Sequence, residues 1–89
     1  MYKLEVSPAA NRDLEKLKNR IGRRHFERIK ETVRHLAEIP RPPGVRKIKG
    51  AEKAYRVRVG IYRVVYDVYD DEHIVLILQI TRGSETTYH

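Results

Sequence analysis

Eighty-nine residues carrying a net charge of +7 make one small domain, 1–89, with a modest core. Without cysteine, neither a disulfide framework nor a thiolate metal site is available. No apolar run approaches the roughly 18 residues of a membrane span, and the opening "MYKLEV" has no signal-peptide layout, so the expected compartment is the cytoplasm.

The stretch "YKLEV" (2–6) alternates in the manner of a short strand. Ser7-Pro8 follows as a helix N-cap with proline at the first helical position. Ala10, Leu14, Leu17 and Ile21 then recur at helical spacing. Gly22 punctuates, and a second helix gathers Phe26, Ile29, Val33, Leu36 and Ala37 on one stripe. His25, His35 and His73 lack ligand spacing such as i,i+4 on one face, so no metal site is expected. "PRPPG" (40–44) ends the second helix in a stiff loop. Extended segments follow at about 45–49, 54–60, 61–69 and 73–82, with "YDDEH" turning between the last two. The expected fold is α+β: a two-helix hairpin packed on one face of a mostly antiparallel, four-to-five-stranded sheet, in the order β-α-α-β-β-β.

The segment "YRVRVGIYRVVY" (55–66) holds the most information. A two-residue loop at Gly60-Ile61, glycine first, is a favoured hairpin turn. It pairs Val59 with Tyr62, Arg58 with Arg63, Val57 with Val64 and Arg56 with Val65. Residues directly opposite share a face of the sheet. Tyr55, Val57, Val59, Tyr62, Val64, Tyr66 and Val68 are then expected against the helices, with the tyrosines as packing residues. Arg56, Arg58 and Arg63 emerge together on the uncovered face, where Arg63 is expected to be exposed and to pack little. Like charges placed opposite each other are destabilising. Either this face is a solvated outer surface or it is a pre-built site for a polyanion. Between 74 and 78 the last strand is apolar at every position, so alternation does not say where Arg82 points.

Charge is distributed unevenly. Residues 41–63 hold eight basic and one acidic side chain, a local +7, whereas residues 64–89 hold one basic and five acidic ones. A basic stretch on a folded sheet suits a phosphate-bearing partner or an acidic protein; charge alone does not choose.

In length, element order and motifs the chain resembles the RelE/ParE toxin superfamily, and within it the RelE-like ribonuclease toxins. The likeness is most specific at "KIKG" (47–50), "YRVRVGIYRVVYDV" (55–68) and the tail "ITRGSETTYH" (80–89). The resemblance implies a toxin, partnered by an acidic antitoxin, that cleaves mRNA in the ribosomal A site without metal or other cofactor. It also implies that Arg56, Arg58, Arg63, Arg82 and Tyr88 occupy the family's catalytic positions, with Lys47 and Lys49 as candidate RNA contacts. The best-known members carry lysines where this chain has Arg56 and Arg58. Arginine clamps phosphate with two donors but is a poor proton carrier.

The chemistry sets its own requirements. Cleaving RNA without a metal needs a base at the 2′-hydroxyl, cations on the phosphorane oxygens and a proton for the departing 5′ oxygen. Convergent guanidiniums meet the second need. Tyr88 is the candidate base, because surrounding positive charge favours a phenolate; His89 is the alternative at neutral pH. Arg82 is read as a stabiliser of the leaving group. Arg20, Arg23, Arg24 and Arg28 form a basic helical edge, either a solvated face or a surface for ribosomal RNA. Two other functions fit the same resemblance: a ParE-like protein that binds DNA gyrase, and a catalytically weak homologue that only binds its antitoxin.

Overall fold

The computed structural model describes residues 1–83. Its elements are β1 (Lys3–Val6), α1 (Pro8–Arg20), α2 (Arg23–His35), β2 (Arg46–Lys47), β3 (Ala54–Val59), β4 (Tyr62–Tyr69) and β5 (Ile74–Arg82). The five strands form one sheet in the order β1-β5-β4-β3-β2. β1 runs parallel to β5 and every other neighbouring pair is antiparallel. The expected α+β architecture is therefore the one found, with the sheet at five strands.

Local chemistry sets the helix boundaries. Ser7 is the extended N-cap of α1, its hydroxyl accepts from the Ala10 N–H at 3.1 Å, and Pro8 opens the helix. The two helices, with the α2 C-cap Leu36, place Ala10, Ile29, Val33 and Leu36 in one buried cluster with Val57, Val59, Val64, Tyr66, Val68, Val75, Ile77 and Ile80 from the sheet. Of the expected helix-facing tyrosines, Tyr66 is wholly buried, while Tyr55 and Tyr62 pack at the margin of the cluster.

β5 departs from regularity. Val65 pairs with Gln79 but Tyr66 pairs with Ile77, so Leu78 is an extra residue in the strand. Buried positions consequently run Val75, Ile77 and then Ile80. Past the end of β1, the outer edge of β5 is satisfied by α1 and its cap. The Ser7 hydroxyl donates to the Leu78 carbonyl at 3.0 Å, and the Asp13 carboxylate accepts from the Ile80 N–H at 2.8 Å. Asp13→Ala strips a part-buried donor of its acceptor and is expected to cost about 1–3 kcal/mol in urea unfolding. An unchanged midpoint would show that this edge needs no cap.

The strand expected at 45–49 is shorter than its sequence suggests. Arg46 and Lys47 are in register with β3, and the Ile48 N–H closes the pairing on the Ala54 carbonyl at 2.9 Å. Beyond them the chain turns through Gly50, whose φ of 83° lies in the left-handed region that glycine tolerates.

Candidate anion-binding site

Gly60, at φ 61°, opens the two-residue turn between β3 and β4. The resulting register pairs Arg58 with Arg63, Arg56 with Val65 and Val57 with Val64, as the alternation requires. On the far side of β3, Arg46 pairs with Arg56. Four arginines on three adjacent strands therefore share one face of the sheet, in two cross-strand pairs. They surround a cavity of about 260 Å³ lined by Gly44, Arg46, Arg56, Arg58 and Arg63.

Arg63 differs from the exposed residue that alternation predicts: it is 4% accessible. β4 is the central strand, so Arg63 has neighbours on both sides, Arg58 on β3 and Thr81 on β5. Alternation reports the face of a sheet, not its lateral cover. Arg56 is half-buried, and Arg58 and Arg46 are exposed. A guanidinium is seldom withdrawn from water to the extent seen at Arg63. The face is therefore mixed: Arg63 is withdrawn from water, while Arg46 and Arg58 meet solvent.

The loop that brings in Gly44 and Arg46 is held by a polar clasp. Arg41 donates to Asp70 at 2.6 Å and to the Tyr55 hydroxyl at 3.1 Å, and the Tyr2 hydroxyl donates to Asp70 at 2.6 Å. The Tyr66 hydroxyl donates to the Pro40 carbonyl at 2.7 Å. Arg41 and then Tyr2 hold the Asp70 carboxyl below the usual carboxylate range. Burial pushes the Tyr66 phenol up, which keeps it a hydrogen-bond donor and not a base. The clasp thus ties the loop after α2 to β3 and to the β4–β5 turn. Gly44, at φ 87°, then turns the chain into β2.

Not every residue singled out in the sequence reaches the cavity. Lys47 pairs with Tyr55, on the opposite parity from Arg46, and its ammonium donates to the Ala51 and Glu52 carbonyls at 2.8 and 2.6 Å. Lys49 is exposed in the loop between β2 and β3 and does not line the cavity. Arg82 is exposed and pairs with Tyr62, so the register sets it on the helix side of the sheet, away from the arginine face. The bulge at Leu78 is the cause, because a regular strand continuing from Val75 and Ile77 would turn Arg82 the other way. Tyr88 and His89 lie outside the described residues. Arg20, Arg23, Arg24 and Arg28 are exposed on the helices.

Two contributors went unread in the sequence, Gly44 and Arg46. Within "VRKIK" basic residues fall on both parities, so only the pairing of β2 with β3 selects Arg46. Chemically, the four side chains offer permanently charged, forked donors that match phosphate oxygens.

The model of the ParE toxin family of type II toxin–antitoxin systems (parDE) matches residues 4–87. A protein of Methanocaldococcus jannaschii named as a RelE1 toxin is 34% identical over 61 residues, which is 65% of this chain and 68% of that protein. Among solved structures, the archaeal RelE–RelB complex from Pyrococcus horikoshii matches with a TM-score of 0.78 and 25% identity, over 94% of this chain and 97% of that one. The E. coli RelBE toxin–antitoxin complex matches with a TM-score of 0.77 and 23% identity, over 96% of this chain and 100% of that one, a likeness of fold.

Proposed function

The chain belongs to the ParE toxin family of type II toxin–antitoxin systems and is RelE-like within it; from that premise we propose that it is a ribosome-dependent endoribonuclease that cleaves mRNA in the A site. The observation that carries this reading is the gathering of Arg46, Arg56, Arg58 and Arg63 around one cavity on a rigid sheet. A single toxin domain working in the cytoplasm, held in check by an acidic antitoxin, completes the picture.

In the proposed reaction the 2′-hydroxyl attacks the adjacent phosphorus, and the bond from phosphorus to the 5′ oxygen breaks. The 2′-hydroxyl proton passes to the base, the departing 5′ oxygen takes a proton from water, and the products are a 2′,3′-cyclic phosphate and a 5′-hydroxyl. Negative charge grows on the phosphorane oxygens, and preorganised guanidiniums meet it without the reorganisation that water needs. In this proposal they supply the positive charge that a metal ion supplies in other nucleases, and no metal is assigned a role. Tyr88 is assigned as base. Arg82, on the other face by register, is left out of the assignment at this cavity. Lys47 has a structural use within its loop, and Lys49 remains available to backbone phosphates.

The family model is named for ParE, which keeps a gyrase-binding toxin as the second reading. One experiment separates the two. Purified protein is added to ribosomes programmed with a defined mRNA, to the same mRNA free in solution, and to a gyrase supercoiling assay. Cleavage on the ribosome, with a new 5′-hydroxyl end at the A-site codon and none on free mRNA, is the expected result. Intact mRNA together with inhibited supercoiling would replace the ribonuclease reading with the gyrase one.

A further inference from the structure

Gly83 follows the last residue of β5, on the same parity as Thr81 and therefore on the arginine face. Unlike Gly44, Gly50 and Gly60, it has no positive φ to account for a glycine. Its surroundings do account for one. A Cβ at this position would stand 2.6 Å from Arg63 Nε and 3.2 Å from both Arg63 Cδ and Cγ. The Gly83 N–H donates to the Ile61 carbonyl at 2.6 Å, which pins the backbone to the β3–β4 turn. Arg63 is itself 4% accessible, so a shift forced on its stem is taken up in the cavity that it lines.

We infer that Gly83 is a positioning residue: its missing side chain is the bed on which the Arg63 stem lies, and this sets where the guanidinium enters the cavity. The turn that places Arg63 opposite Arg58 also supplies the carbonyl that fixes Gly83. One short hairpin thus controls both the charge and its support. A methyl at 83 displaces Arg63 by steric contact while leaving the composition of the cavity unaltered. For its functional arm the inference rests on the ribonuclease reading.

Four proteins decide the matter: wild type, Gly83→Ala, Arg63→Ala and the double variant. Each is measured for melting temperature and for cleavage on programmed ribosomes. Gly83→Ala in the wild-type background is expected to lower cleavage about a hundredfold, the scale of a misplacement of an ångström or so near the chemistry, and to lower the melting temperature. In the Arg63→Ala background the same change is expected to do neither, because the side chain it displaces is gone. Equal effects in the two backgrounds, or none in either, overturn the inference. If Gly83→Ala does not fold, recovery of folding in the double variant supports it and continued failure overturns it. Wild-type protein that never cleaves would sink the ribonuclease reading instead, and the melting-temperature coupling would still decide the role of Gly83.

Discussion

Arg63→Ala is expected to slow ribosome-dependent cleavage about a hundredfold, a loss on the order of 3 kcal/mol in transition-state stabilisation, as for removal of one preorganised donor aimed at developing charge. Arg63 is chosen over its neighbours for its position. It lies on the central strand, across from Arg58, with its stem beside Gly83. A guanidinium so enclosed reorganises little during the reaction, and its field is screened less than that of an exposed charge. Burial has a second consequence. Truncation to alanine empties packed space, so some stability is lost along with the charge. Arg63→Met separates the two effects, because it keeps most of the apolar stem and removes the cation. Its melting temperature should lie closer to wild type than that of Arg63→Ala, while cleavage falls as far in both. Wild-type cleavage by Arg63→Met would end the electrostatic assignment.

The hairpin that carries this site was readable because two independent signals agree on its register. The alternation of "YRVRV" and "YRVVY" fixes which residues share a face, and Gly60-Ile61 fixes how the strands meet. A slip of one residue would have moved Val57, Val59 and Val64 off the helix-facing side. The cap at Ser7-Pro8 was legible for a similar reason, since side-chain chemistry and backbone restriction point to the same boundary. Three features were not legible, each for a physical cause. The burial of Arg63 went unread because alternation reports which face a side chain takes and not what packs beside it, such as Gly83 from the end of β5. The choice of Arg46 over Lys47 and Lys49 depends on the pairing of a two-residue strand whose neighbours are basic on both faces. The direction of Arg82 depends on a bulge at Leu78, inside a stretch apolar at every position. Residue types announced the chemistry of the site; long-range pairing determined its membership.

Tyr88→Phe is expected to lower cleavage by roughly 10²–10⁴-fold, the usual range for loss of a positioned general base. The change removes a hydroxyl and keeps the ring, so it acts on proton transfer and not on packing. The assignment follows from charge. An isolated phenol with a pKa of about 10 is a feeble base at neutral pH, but a cation cluster favours the phenolate and brings the group nearer to use. Arg46, Arg56, Arg58 and Arg63 form a cluster of that kind, and the assignment requires Tyr88 to act beside it. The competing base is His89, and an unperturbed imidazole titrates near 6.5. The two differ in the shape of the pH profile as well as in the mutants. With Tyr88 as base, the single-turnover rate keeps rising through pH 7 and beyond, because each step upward adds phenolate. With His89 as base, the rate levels off above about pH 7, where the imidazole is already neutral. His89→Ala should leave the rising profile in place if the first assignment holds. A rate that is flat above neutrality in wild type, abolished in His89→Ala and intact in Tyr88→Phe, would transfer the base to His89 and leave the arginine face with its electrostatic role alone.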